Sequence, residues 1–336
     1  MPSRLETKLD AIRANPNSNE FIIADAKDAD MAFGVAATGP SANGQHPSLA
    51  DYRQKIREVV EQNIVDIVIM SASTSEQLVL DERIFDKTEV TPAARANDTS
   101  DIWLPRHGKY TESPSRPYCS ATIDHIQCGR GTCSIEERRL GTNLGLYSIT
   151  FNNDVDHDHA SLSAFNDFRA EAESKDFEYF LEVFAPNIAN AVPPEGVGHY
   201  LNDMIARTLG GITSKNRPLF LKMPYCGPDA LEELVAYDPS LIVGILGGAS
   251  GTMMDAFTLL AETKKHGGRA ALFGRKINNA EDQLLMIELL RQVADGNIQP
   301  REAVNTYHKK LEDKRIIPFR STEDDLKITA PGLAYV

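Results

Sequence analysis

Only one tryptophan and four cysteines occur among the 336 residues. No apolar run approaches the length of a membrane span, so no membrane association is expected. The cysteines, Cys119, Cys128, Cys133 and Cys226, are too few to staple a chain of this size. The pair in CGRGTC also lacks the two-residue spacing of a zinc knuckle. Free thiols in a reducing, cytoplasmic setting are therefore expected. Basic residues are scarce relative to acidic ones, 35 Lys and Arg against 48 Asp and Glu, a net charge of -13. Such a surface repels polyanions, and no nucleic-acid partner is expected. The opening MPSRLETKLDAIRANPNSNE has no apolar core of the kind a secretory signal needs, so none is expected.

What is present reads as one globular unit. Hydrophobic residues make up 42% and charged residues 25%, both ordinary values. Eight β-rich runs recur along the chain: EFIIAD from Glu20, IVDIVIM from Ile64, YCSATIDHI from Tyr118 and LGLYSITF from Leu144. FEYFLEVF from Phe177, PLFLKMP from Pro218, LIVGILG from Leu241 and RAALFG from Arg269 complete the set. Most are continuously apolar rather than alternating, as in parallel strands covered on both faces. Amphipathic helical stretches separate them, for example SLADYRQKIREVVEQN with Ser48 as its N-cap. Strand and helix alternating eight times predicts a (β/α)8 TIM barrel. A doubly wound sheet is the rival, but no G-x-G-x-x-G follows the first strand.

The predicted organisation is a helical extension over 1–17, a single barrel domain over 18–310 and a C-terminal tail over 311–336. The longest irregular interval, 86–117, is placed between strands two and three as a long loop insertion. It carries Trp103 beside Arg106, His107 and Lys109, and is either a surface excursion or a lid over the barrel mouth.

Barrel chemistry sits at the C-terminal ends of the strands. There the sequence puts Asp25 and Lys27 after strand one, His125 near the end of strand three, Glu182 on strand five and Lys222 on strand six. A lysine ending an apolar strand is desolvated, which favours the neutral amine able to attack a carbonyl. The same lysine could equally be a structural partner of Glu182. The carboxylates could move protons or act as fixed counter-ions. Backbone N–H groups in LGGASGT and the basic turn FGRK follow strands seven and eight, where barrels often hold a phosphate. Asp154, Asp156, His157, Asp158 and His159 resemble metal ligands but crowd one turn, where acidic residues also suit a helix start.

The segments DIVIMSAS, FLEVF, FLKMPYCG, GILGGASGT and AALFGRKI, in this order, resemble the archaeal-type class I fructose-bisphosphate aldolases. Deoxyribose-phosphate aldolase, tagatose-bisphosphate aldolase and the autoinducer-2 aldolase-like enzymes belong to the same superfamily. The resemblance covers about residues 20–295. It implies that Lys222 forms a Schiff base, that Glu182 is an active-site carboxylate, and that Asp25 closes strand one. It puts the substrate phosphate at Gly247, Gly248, Gly274 and Arg275, and Ser250 of the LGGASGT loop is a further phosphate-binding candidate. It implies a phosphorylated sugar or keto compound as the small-molecule substrate, no cofactor, no metal and a homo-oligomeric assembly. Two positions depart from the family pattern. Ala26-Lys27 stand where the family has His-Gly, and Thr150-Phe151-Asn152 where it has a tyrosine acid. His125 and Tyr225 are the substitute donors. A metal-dependent lyase or hydrolase, an acyl transferase and a non-catalytic sugar-phosphate-binding regulator are the alternatives.

Overall fold

Eight parallel strands close into a barrel in the computed structural model, which describes residues 3–15, 17–39, 45–248 and 251–336. The strands are β1 (Ile22–Lys27), β2 (Ile67–Met70), β3 (Thr91–Arg95), β4 (Leu144–Thr150), β5 (Glu178–Phe184), β6 (Leu221–Met223), β7 (Val243–Leu246) and β8 (Ala270–Phe273). Each pairs with its sequence neighbours and β8 closes onto β1, Ile22 opposite Ala270. The chain is a (β/α)8 barrel, with long helices α1 (Arg4–Ala14), α2 (Leu49–Gln62), α3 (Val155–Ser174), α4 (Val197–Leu209) and α5 (Pro228–Tyr237). Three more follow, α6 (Met253–Lys265), α7 (Gln283–Asp295) and α8 (Pro300–Asp313). None of the described helices is long and apolar enough to cross a membrane.

Alternation along each strand divides the apolar side chains into two layers. Ile22, Ala24, Ile67, Ile69, Ala93, Leu146, Phe180, Phe220 and Leu272 fill the lumen, with the Phe180 and Phe220 rings stacked 4.5 Å apart. Ile23, Val68, Met70, Ala271 and Phe273 point the other way, into the layer under α2, α6, α7 and α8. Helix α1 plugs the N-terminal end of the barrel with Leu5, Leu9 and Ile12. It starts on a reciprocal Ser3–Glu6 capping box.

The third strand is not where the sequence patterning puts it. Thr91–Arg95, TPAAR, takes the place between β2 and β4, pairing Met70 with Ala94 and Arg95 with Leu146. Two alanines and a proline carry almost no β-propensity, and closure of the barrel selects them instead. Tyr118 only pairs with Asp98 in a two-residue antiparallel ribbon, and Ile123–Cys128 is a short helix capped by Thr122. The long insertion therefore follows β3, over residues 96–143, rather than lying between strands two and three.

The expectation of four free thiols is also overturned. Cys128 and Cys133 form a disulfide, their Cα atoms 6.1 Å apart, while Cys119 and Cys226 are free. The short helix ends at Gly129 in the left-handed conformation (φ 72°), which turns the chain back and brings the two sulfurs together.

Candidate functional site

Ser148, Glu182 and Lys222 lie side by side in the sheet, Ser148 opposite Glu182 on β4–β5 and Glu182 opposite Lys222 on β5–β6. Each lies two residues beyond a lumen residue, Leu146, Phe180 or Phe220, and so on the same face, and their side chains enter the barrel mouth above the apolar plug. Beyond Lys222 the row continues with Gly244 on β7, where a Cβ would meet the Leu221 carbonyl at 2.6 Å and the Ala270 side chain at 2.7 Å. Strand packing thus leaves no side chain beside the lysine on that flank.

Lys222 is 6% exposed, and its Nζ lies 2.5 Å from Oε1 of Glu182. The second glutamate oxygen, Oε2, accepts from Ser148 Oγ at 2.7 Å and from Arg95 Nη2 at 3.3 Å. Arg95 ends β3 and also donates to Asp28 Oδ2 at 2.5 Å and to Ser148 Oγ at 2.9 Å. Asn97 fixes the backbone of Ser148 through both its amide atoms, at 2.7 and 2.9 Å. Burial opposes the charged form of Asp28, yet Arg95 and Lys222 together hold its carboxyl below the ordinary aspartate range. The same carboxylates keep Arg95 firmly charged against the opposing effect of its burial. Two cations and two carboxylates therefore balance in one desolvated cluster.

This cluster lines a cavity of about 180 Å3 at the barrel mouth. Ala26 on β1 and Asp28 just beyond it close one side, and Phe184, Leu246 and Leu272 close it from the other strand ends. Ile102 and Leu104 from the insertion and Phe33 from the loop after β1 cover it. Leu104 N donates to the Ala32 carbonyl at 2.8 Å, tying that cover together. Gly247, Gly248, Gly274 and Arg275 form its rim, Gly248 in the left-handed region (φ 64°) that a side chain would strain. Arg275 stacks over Phe33 with its guanidinium 6.0 Å from the ring. Ser250 lies outside the described residues.

Four residues expected at the site lie elsewhere. Asp25 and Lys27 point outward from β1, because Ala24 and Ala26 take the lumen positions. Lys27 Nζ is 3.3 Å from Asp25 and donates to Gln283 on α7 at 3.1 Å, so this pair is buried between sheet and helices. The carboxylate that enters the mouth from strand one is Asp28, one turn of chain further on. His125 sits exposed on the short helix of the insertion, bonded to Thr122, because its segment is not a barrel strand. Tyr225 is directed to Tyr335 in the C-terminal tail. Thr150, at the place of the family's tyrosine, is held by Asp101 of the insertion at 3.1 Å.

Arg95, Asp28, Ser148 and Asn97 escaped the sequence reading. An arginine closing a short apolar stretch, TPAAR, carried the same signal as the lysine in LFLKM and could have been found by it. The acidic run after β4 is accounted for structurally. Asp154 caps α3 and binds His157 at 2.7 Å, while Asp158 accepts from Asn152 N at 2.7 Å. Among the described residues no three His, Cys, Asp or Glu side chains converge as metal ligands would.

No protein-family model and no curated protein matches the chain by sequence. Solved structures do share its fold. An archaeal fructose 1,6-bisphosphate aldolase superposes with a TM-score of 0.58 at 14% identity, over 86% of this chain and 99% of the other. A Schiff base-forming fructose-1,6-bisphosphate aldolase, studied through its reaction intermediates, gives 0.61 at 15% identity over 85% and 99%. The fructose-bisphosphate aldolase from Slackia heliotrinireducens gives 0.65 at 10% identity over 91% of each chain. The chain thus has the fold of these archaeal-type aldolases.

Proposed function

We propose that this protein is a class I aldolase, a lyase that makes or breaks a carbon–carbon bond through a Schiff base on Lys222. One observation carries the reading: a buried lysine in the barrel mouth, 2.5 Å from a glutamate whose other oxygen is already held by Ser148 and Arg95. That arrangement leaves Oε1 of Glu182 as the local proton acceptor for the ammonium, so the amine can be released where the carbonyl binds.

In the cleavage direction the amine of Lys222 adds to the substrate ketone and water leaves, giving the iminium. Glu182 carries protons between nitrogen and oxygen in both halves of that step. A carboxylate then removes the proton from the hydroxyl on the far carbon of the bond to be cleaved, which becomes the aldehyde carbon. Asp28 suits this role, being held ionised and lining the same cavity. The bond electrons pass into the iminium to give an enamine, the aldehyde departs, and protonation and hydrolysis restore the lysine. A phosphate on the substrate fits the rim of Gly247, Gly248, Gly274 and Arg275, where glycines let a ligand approach the backbone closely beside a guanidinium. The substrate class is accordingly a phosphorylated ketose or keto compound.

Borohydride reduction with dihydroxyacetone phosphate and a panel of ketose phosphates tests the reading. Peptide mapping should find the reduced adduct on Lys222, and Lys222→Met should abolish it. A substrate that turns over while Lys222 stays unmodified after reduction would sink the mechanism.

A further inference from the structure

Outside the lumen a second cavity, of about 400 Å3, opens on the rim between the loop after β1, the start of α6, the turn after β8 and the C-terminal segment. Four cations line it: Lys55 on α2, Arg275 and Lys276 after β8, and Arg320 in the tail. Two carboxylates line it as well, but both are engaged elsewhere. Glu281 accepts from Phe319 N at 2.6 Å and from the Tyr307 hydroxyl at 3.0 Å. Asp325 accepts from Met253 N at 2.9 Å and pairs with His308 at 3.0 Å. Arg320 stands 3.9 Å from Asp325, at the limit of an ion pair.

Among the described residues, the hydrogen bonds of the remaining cations go to carbonyl groups. Lys276 Nζ donates to Gly251 O at 2.8 Å, Lys55 Nζ to Asn278 O at 3.4 Å and Arg275 Nη2 to Gly248 O at 3.4 Å. Lys276 is 7% exposed, and burial pulls its ammonium down to about 8. Asp325 and Glu281 act on it only at longer range, and among the described residues no carboxylate forms an ion pair with it. A buried cation without a counter-ion in contact is costly, and a site that keeps one is suited to a charge that arrives with a ligand. All ten residues whose structure is not described are uncharged, so none of them supplies a missing carboxylate.

We infer that this rim cavity is a second anion site, which binds a phosphorylated small molecule through Lys55, Lys276 and Arg320. Several converging cations match a phosphate dianion better than a single carboxylate. The volume exceeds what a bare phosphate needs and lies in the range of small-ligand pockets, about 300–1,000 Å3. The side chain of Arg275 borders both this cavity and the catalytic one. Occupancy of the rim therefore bears on the wall of the barrel mouth. The inference stands on the rim alone and does not need the Schiff base at Lys222.

Pyridoxal phosphate footprinting tests it. The aldehyde condenses with exposed or reactive amines with loss of water, and borohydride reduces the imine to a stable secondary amine that peptide mapping locates. Lys276 should be labelled, and inorganic pyrophosphate should protect it. In the Lys55→Gln/Arg320→Gln double variant the pyrophosphate concentration for half-protection should rise about tenfold. Protection that is absent, or equal in wild type and double variant, would overturn the inference. Running the assay in Lys222→Met keeps the rim readout intact whatever becomes of the aldolase reading. Protection of Lys276 by a bisphosphorylated ketose that requires Lys222 would assign the distal phosphate of the substrate. Protection that survives Lys222→Met would assign a separate ligand, and either result supports the site.

Discussion

The Nζ atom of Lys222 lies 2.5 Å from Oε1 of Glu182, and the second glutamate oxygen is held by Ser148 and Arg95. The lysine and the glutamate therefore separate in their roles. Lys222→Met should give no trappable adduct. Glu182→Gln keeps the shape but removes the proton acceptor, so the adduct should still form, about 10²–10⁴-fold more slowly. The rate of borohydride-trapped product, followed by intact mass, distinguishes the two variants.

Arg95 neutralises Asp28 and Glu182 in a site with almost no solvent. Arg95→Met leaves two buried carboxylates facing one lysine, and should cost about 3–5 kcal/mol at neutral pH. The pH dependence has a definite sign. The depressed pKa of Asp28 contributes stability above the pH at which an unfolded aspartate titrates, and that contribution is lost as pH falls through its folded value. Without Arg95 much of it is absent at any pH. Urea titrations at pH 7 and at about pH 2.5, below the ordinary aspartate value, should show the gap to wild type narrowing in acid.

The barrel and its lysine were legible because long apolar strands and a misplaced charge are local signals. Seven of the eight strand positions follow from such runs. TPAAR was not legible, because its strand state comes from pairing with β2 and β4 rather than from its own residues. Losing it also misplaced His125. Asp25 and Lys27 failed for a different reason: charge at a strand end shows height along the barrel but not which face the side chain takes. Only the alternation fixed by Ile22, Ala24 and Ala26 in the lumen settles that. The disulfide depends on a left-handed turn at Gly129 that spacing alone does not reveal.

Asp66 precedes β2 fully buried and gathers Arg4 at 3.0 Å, Lys8 at 2.9 Å and Arg291 at 2.8 Å, besides the Ile23 N–H at 2.8 Å. It joins the plug helix α1 to the barrel and to α7. Asp66→Ala should destabilise by about 3–5 kcal/mol, since three cations lose their common partner in a buried setting. Limited proteolysis should cut within α1 in the variant at protease levels that spare the wild type.

The outward-facing pair on β1 makes a separate prediction. Burial raises the carboxyl of Asp25 to about 6 from an ordinary 3.8, with Lys27 pulling the other way. Between those values the folded protein holds a proton that the unfolded chain has released. Stability should therefore fall as pH rises from about 4 to about 6 and level off above, by up to about 3 kcal/mol for a shift of this size. Asp25→Asn has no proton to lose. Relative to wild type the variant should gain stability steadily across that window and then run parallel to it. Urea unfolding at pH 4, 5, 6 and 7 measures the difference directly. A variant that instead loses ground as pH rises would mean that Asp25 is ionised and stabilised by Lys27 throughout, with desolvation the lesser effect.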